Sequence, residues 1–295
     1  MLTINPKKST TPEVHHALLG GIAPRPIAFA STVDKDGKPN LSPFSFFNAF
    51  GANPPILIFS PARSGRDNTN KHTFLNIQEV PEVVINMVTF DMAQQMSLAS
   101  SPFARGVNEF EKSGFTKQES ETIKPFRVKE SPIQYECKVQ QVIETGTEGG
   151  AGNLVICEVT RIHIDEDVLD YEGKIDPQLA DLIGRMGGNY YVRTIGDGLF
   201  EIPKPISSVG IGFDQLPAFI KNSREMSQAE KAQLAGLERV PIETDLEITK
   251  LSEYVVNGLN RKDLNPICYS KDLIANGKIW DALIYLMIIE KLSQK

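Results

Sequence analysis

The chain has 295 residues, 41% hydrophobic and 23% charged, with a formal net charge of −6, an ordinary globular composition long enough to bury a substantial core. The acidic balance argues against a nucleic-acid protein, whose footprint is a basic face. The N-terminal Met1-Leu2-Thr3-Ile4-Asn5-Pro6-Lys7-Lys8 lacks the apolar region of a signal peptide, and no apolar run approaches the roughly 20 residues of a membrane span, so a cytoplasmic protein is expected.

In chain order, a polar lead-in carries a short helix near Val14 to Leu19, and Ile27 to Val33 reads as a strand ending in the hydroxyls of Ser31 and Thr32. Asp34-Lys35-Asp36-Gly37-Lys38 has the Asp-Gly signal of a hairpin, with Asn40 to Phe44 as the returning strand and Ile56 to Ser60 as a third. Between the last two, Pro43-Phe44-Ser45-Phe46-Phe47-Asn48-Ala49 breaks clean alternation. It reads either as a barrel strand with a bulge, its aromatics simply core, or as an irregular segment whose backbone meets a heteroaromatic edge while Phe and Pro exclude water. Asn70 to Glu79 is a helix with Phe74 and Ile77 on one face, Val83 to Val88 a strand, and Met92 to Ala99 helical. Ser100 to Gly114 is loop-rich with a turn at Asn108 to Lys112. Two long strands, Ile133 to Thr145 and Leu154 to Ile164, flank the glycine-rich 146–153 joint, which precedes a strand and therefore reads as a mobile hairpin tip rather than a phosphate loop. A short helix at Asp176 to Ile183 and a strand at Tyr190 to Thr194 complete this part.

Pro203 and Pro205 mark a change of character. Gln215 to Asn222, Ser227 to Leu237, Asp245 to Leu259 and Ile279 to Ser293 carry helical periodicity, and Ser227 to Glu230 has capping-box spacing. Many short strands with connecting helices followed by a helical tail suggest a mainly β, antiparallel barrel over 1–206 and a helical extension over 207–295, packed on the barrel or on a dimer.

Several chemistries are excluded by spacing. There is no G-x-G-x-x-G between an early strand and a helix, no G-x-x-x-x-G-K-[ST] and no G-x-S-x-G. Cys137, Cys157 and Cys268 are far apart with no ligand spacing, so neither zinc nor a disulfide framework is expected and buried thiols are the simple reading. His15 and His16 are adjacent and share no helix face, and His163 stands alone on a strand, where a structural role is expected. The loop from Arg63 to Thr73 is different, with Arg63, Arg66 and Lys71 among hydroxyls and amides at a helix start. A helix N-terminus with such cations suits a phosphate, and a solvated loop capped by Asn68 or Asn70 is the alternative.

Taken together the pieces resemble the flavin reductase-like family of FMN-binding split β-barrels, in its flavoredoxin-type branch. The resemblance rests on Arg25 to Thr32, on Asp36-Gly37-x-x-Asn40-Leu41-Ser42-Pro43-Phe44-Ser45-Phe46-Phe47-Asn48, on Pro54-Pro55-x-x-x-Phe59-Ser60, and on Thr73-x-x-Asn76-Ile77, Glu82 to Asn86, Asn108-Glu109-Phe110 and Arg185-Met186-Gly187-Gly188-x-Tyr190 in that order. It implies a Greek-key barrel and a homodimer with FMN near the subunit interface. Ser31 and Thr32 would lie near the ribityl-phosphate, and Pro43, Phe44, Ser45, Phe46, Phe47 and Asn48 along the ring. Ser60, Arg66, Asn68, Thr69, Lys71 and Thr73 would hold the phosphate, with Phe103, Glu109 and Phe110 walling the nicotinamide or substrate side. Relatives carry a compact Arg-Lys-Asp-Thr run where this chain has Arg66 to Thr73, which leaves open which cation meets the phosphate. The implied activity is NAD(P)H-dependent flavin reduction or electron transfer through bound FMN. A carrier without nicotinamide activity, fed by a redox partner protein, is the alternative, and no nucleic-acid or membrane partner is expected.

Overall fold

A computed structural model of the chain describes every residue except 203, 205–207, 262–264 and 295, together with the side chain of Ile248. The described residues form two compact units, Met1–Phe200 and Glu201–Lys295. The expected joint at Pro203, Pro205 and Ile206–Ser207 lies outside the described residues.

In the first unit the elements run α1 (Thr11–Gly21), β1 (Ala28–Val33), β2 (Pro39–Phe44), β3 (Phe47–Ala52), β4 (Pro55–Phe59), α2 (His72–Glu79), β5 (Glu82–Asn86), α3 (Ala93–Ala99), α4 (Glu109–Ser113), β6 (Lys117–Gln118), β7 (Arg127–Val128), β8 (Ile133–Glu144), β9 (Asn153–Ile164), α5 (Pro177–Ala180), β10 (Ile183–Arg185) and β11 (Tyr191–Arg193). Seven strands make one antiparallel sheet in the order β2-β1-β5-β8-β9-β4-β3.

The two edge strands, β2 and β3, are consecutive in the chain and separated by Ser45 and Phe46 alone. Laid flat, seven strands would hold their edges about 29 Å apart, whereas three residues span at most about 11 Å. The sheet therefore curls until its edges meet at this corner. No ladder joins β2 to β3, so the expected barrel is not closed. Together with its helices the chain is a mixed helix-and-sheet protein rather than a mainly β one.

Strand β1 explains its own composition. Ile27 just before it and Phe29 within it enter a cluster with Leu41, Met92, Met96 and Phe110, while Ala28 and Ala30 pack with Leu57, Phe59, Val83, Cys137 and Val155 in the curled interior. Both faces are buried, so the strand reads as an apolar run up to the equally buried Ser31 and Thr32. The β1–β2 hairpin forms as expected, with Asp34 Oδ1 accepting from the N–H groups of Asp36 and Lys38 and Gly37 at φ +78°. Strand β3 is the bulged strand of the first alternative, its register slipping between Ala49 and Gly51.

Glu136 on β8 fastens the β6–β7 hairpin to the sheet. Its buried carboxylate accepts from Glu121 N (2.8 Å), Thr122 N (2.7 Å), Thr122 Oγ1 (2.6 Å) and His163 Nε2 (2.8 Å). Burial alone would raise its pKa, but the bonds from Thr122, Glu121 and His163 outweigh it and hold the group at about 2. His163 thus has the structural role expected of it.

The second unit is helical: α6 (Ala218–Lys221), α7 (Gln228–Ala235), α8 (Glu253–Asn260), α9 (Pro266–Ala275) and α10 (Ile279–Ser293) surround Leu216, Ile220, Leu234, Val255, Leu273 and Leu283. The capping box at Ser227 and Glu230 forms, and α10 has the expected bounds. The single helix expected over 245–259 is instead two short 3₁₀ turns followed by α8, because Ser252 accepts from Val255 N and starts a new helix there. Helix α9 was not expected, although Asn265 before Pro266 is a cap followed by proline at the first helical position. Cys137 and Cys157 are buried, whereas Cys268 on α9 is exposed, contrary to the expectation of three buried thiols.

Candidate functional site

The corner between β2 and β3 is held by Arg25, which is 4% exposed. Its guanidinium donates to Leu19 O (2.6 Å), Ile22 O, Met186 O (3.0 Å) and Ser45 Oγ (3.4 Å). Burial, with the neighbouring Arg185, lowers its pKa. One buried cation thereby ties the end of α1 and the turn after β10 to the corner. On the other side Ser60 N donates to Phe46 O at 2.9 Å, so the aromatic corner is fixed from both edges.

The basic loop is folded around Arg63. Its Nε and Nη2 donate to Asn68 Oδ1 (2.8 Å) and Asn68 O (2.7 Å), and Nη1 to Asn70 Oδ1 (3.1 Å). Asn68 takes φ +57°, a conformation asparagine tolerates better than most side chains. The tip of the β8–β9 hairpin is docked here: Arg63 N donates to Ala151 O (2.9 Å), Gly150 N to Arg63 O (3.1 Å) and Asn68 Nδ2 to Thr147 O (3.0 Å). A Cβ on Gly149 would stand 3.0 Å from Ser64 O, so a larger residue there would force the tip or the loop to shift. The tip is therefore a wall of the site and not a free loop end.

Two cations remain. Among the described residues, no hydrogen bond or ion pair engages the side chain of Arg66 or Lys71, and both are exposed. Lys71 is also the N-cap of α2, and no side chain caps that helix start. Its free N–H groups carry a partial positive charge toward any ligand beside them. Asp67, held at about 2 by Ser64 and Thr69, is the fixed carboxylate of the loop.

Three clefts adjoin along this side of the sheet. The first, about 350 Å³, lies between the loop and α3–α4 and is lined by Asn40, Arg66, Lys71, Thr73, Phe103 and Glu109 among others. A second of about 520 Å³ shares Arg66 and Lys71 with it and continues along Pro43, Phe44, Ser45, Phe46 and Ser60 under His15 and Leu19 of α1. The third, about 290 Å³, shares Ser45, Phe46 and Ser60 and extends past Phe47 and Asn48. The first two fall within the range of small-molecule sites. The run forms one groove with a cationic, hydroxyl-rich end and an aromatic end. His72 in the first cleft is pushed down by burial, Arg105 and Lys71, and burial pushes the Glu109 carboxyl up.

Of the residues expected at the site, Pro43, Phe44, Ser45, Phe46, Phe47, Asn48, Ser60, Arg66, Thr69, Lys71, Thr73 and Phe103 line these clefts. Ser31, Thr32 and Asn68 do not. Ser31 and Thr32 are fully buried in β1, where Thr32 Oγ1 accepts from Asn76 Nδ2 (3.2 Å) and so seats α2 from behind. Asn68 is occupied with Arg63 and Thr147. Sequence reasoning did not single out Arg25, Asn40 or His15 for the site. The ring of His15 meets that of Phe46 edge-on at 6.4 Å, a contact between residues 31 apart that no local pattern announces.

The sequence profile described as "Flavin reductase like domain" matches residues 20–178, more than half of the chain, and the chain belongs to that family. An uncharacterized protein of Aquifex aeolicus is 34% identical over 191 residues, covering 65% of this chain and 95% of its own length. Among solved structures, nitrilotriacetate monooxygenase component B from Bacillus cereus is 32% identical, with a TM-score of 0.64 over 68% of this chain and 98% of that one. The 2-nitrobenzoate 2-nitroreductase from Pseudomonas fluorescens is 29% identical, with a TM-score of 0.61 over 71% of this chain and all of its own. The match to the family ends before the helical unit. Membership supports a flavin cofactor and a flavin-related redox role. The donor set fits such a ligand, since a flat ring suits the Pro-Phe end and an anionic tail suits the Arg66, Lys71 and α2 end. Among the described residues, no helix is long and apolar enough to cross a membrane, and no cluster of His, Cys, Asp or Glu could hold a metal.

Proposed function

We propose that the protein is an oxidoreductase that holds FMN in this groove and accepts electrons from NAD(P)H. The observation that carries the reading is the continuity of the groove, from an uncapped helix start flanked by two unengaged cations to an aromatic corner locked by Arg25. Bound FMN supplies the redox chemistry, taking up a hydride from a nicotinamide and passing electrons on. The chain's part is placement. Arg66, Lys71, the Thr73 hydroxyl and the N–H groups of α2 bind the phosphate, while Pro43, Phe44 and Phe46 exclude water from the ring. Phe47, Asn48 and Ser60 continue the same wall, and Phe103 with Glu109 bounds the far side. No proton-transfer pair is needed for hydride uptake, so the site's charged groups are left to hold the ligand and the fold.

The test is spectroscopic. Purified protein loaded with FMN should be yellow, and anaerobic NADH or NADPH should bleach the flavin absorbance. Protein that takes up no FMN removes the reading altogether. Bleaching by dithionite but by neither nucleotide would leave an electron carrier fed by a partner protein.

The same reading makes the curled sheet a split barrel that works as a homodimer. Edge strand β3 is exposed over most of its length, and Phe50 and Phe46 are 64% and 38% exposed beside the third cleft. An apolar edge of this kind invites pairing unless it is covered. Sedimentation velocity is expected to give a dimer for the native chain and a monomer with weakened FMN binding for Phe50→Asp. A native monomer that binds FMN fully would refute the dimer. The helical unit lies outside the family match and is an addition to this flavin module.

A further inference from the structure

Six hydroxyl residues line the first cleft, Ser42, Ser64, Thr69, Thr73, Ser100 and Ser101, and the three on the basic loop and at the start of α2, Ser64, Thr69 and Thr73, are not equivalent. A hydroxyl has one proton to donate. Thr69 Oγ1 gives its proton to Asp67 Oδ1 at 2.8 Å, and Ser64 likewise bonds the Asp67 carboxylate. Both are committed to a carboxylate that stays ionised throughout the working pH range. Thr73 has the opposite arrangement. Its Oγ1 accepts from Asn40 Nδ2 at 2.9 Å, and no described group accepts the Thr73 hydroxyl proton. Asn40 and Thr73 are 6% and 1% exposed, and both border the cleft. Asn40 stands on β2, where the backbone is locked on both sides: it pairs with Thr32 of β1, and the neighbouring Leu41 N donates to the Glu109 carboxylate at 3.1 Å.

We infer that Asn40 is a positioning residue for the anionic tail of the flavin. By donating to the Thr73 oxygen, it turns the one uncommitted hydroxyl proton at the start of α2 toward the ligand. This rests on the reading of the groove as an FMN site and goes beyond it in assigning the order of the donors. Thr73 touches the phosphate, Asn40 acts through Thr73, and Thr69 and Ser64 serve Asp67. The geometry also accounts for a buried amide that otherwise has no reason to face a polar cleft, since an unpaired amide there would be costly.

The experiment compares FMN with riboflavin, which has the same ring and no phosphate, by quenching of flavin fluorescence in the full-length protein. Native protein is expected to prefer FMN. Thr73→Val and Asn40→Ala should each lower that preference by about tenfold, the worth of one charge-assisted hydrogen bond. The double variant should show the preference of Thr73→Val alone, because Asn40 has nothing left to orient. Thr73→Ser, which keeps the hydroxyl, should restore most of the preference. Additive losses in the double variant, or Asn40→Ala weakening both flavins equally, would overturn the inference and leave Asn40 a packing residue with the FMN site intact. Native protein that binds FMN and riboflavin equally would instead remove the phosphate from this cleft, and the inference with it.

Discussion

Replacing both Arg66 and Lys71 by alanine is expected to weaken FMN binding about a hundredfold and riboflavin binding by no more than about threefold. Three cations occur in this loop, and the structure separates them. Arg63 is committed to Asn68 and Asn70 inside the loop, while Arg66 and Lys71 have no partner among the described residues. A charge-assisted hydrogen bond is worth roughly 1.5–3 kcal/mol, and solvent screening at an exposed site cuts it toward the lower end. Two such bonds then contribute about 3 kcal/mol, or about a hundredfold. The dipole of α2 adds only about 0.3–1 kcal/mol and survives the substitution, so residual preference for FMN should remain. Raising the ionic strength should narrow the gap between native and variant proteins. Arg63→Ala makes the useful contrast, because it unties the loop and the docked hairpin tip and should weaken both flavins. Equal losses of FMN and riboflavin in the Arg66→Ala/Lys71→Ala protein would place the phosphate elsewhere.

Glu136→Gln is expected to destabilise the first unit by about 3 kcal/mol without touching the groove. The carboxylate accepts four hydrogen bonds while fully buried. Its pKa moves from an ordinary 4.5 to about 2, a difference of about 3 kcal/mol at about 1.36 kcal/mol per unit. Glutamine keeps the shape but turns an amide N–H₂ toward groups that donate, so at least one buried donor loses its acceptor. For a unit of this size the melting temperature should fall by about 6–12 °C. The sign of the pH dependence follows from a depressed carboxyl. The stabilisation is fully present above 4.5, the unfolded value, and is lost progressively as pH falls toward about 2. Native protein should therefore lose stability over that window, and Glu136→Gln should be flatter across it. Thermal melts at neutral and acid pH measure both effects; a variant as stable as the native chain at neutral pH would show that the β6–β7 hairpin is held by other contacts.

Legibility varied with how local each cause was. Strands β1, β8 and β9 announced themselves because their apolar runs end at polar turns, and the Asp34 to Gly37 hairpin because its turn chemistry lies within five residues. Helix α10 was readable to the residue from its periodicity alone. Strand β3 was ambiguous because Ser45 and Phe46 turn the corner and a bulge then shifts the register, which scrambles the alternation a strand is read by. Helix α8 was overextended because its true start is a serine cap inside a longer periodic stretch.

The same contrast holds at the site. Composition and order along the chain, with the family resemblance they carry, marked Pro43 to Asn48 as a ring wall and Arg63 to Thr73 as an anion loop, since residue type alone decides which groups carry charge, hydroxyls or aromatic surface. Tertiary structure alone decided which of those groups are free to act. It consumed Arg63 and Asn68 in the loop, buried Ser31 and Thr32 behind the wall, and brought Arg25 to the corner and Asn40 to Thr73 across 33 residues of chain. A hydrogen bond between distant residues is settled by how the sheet curls and where α2 is seated, and no local pattern encodes that distance.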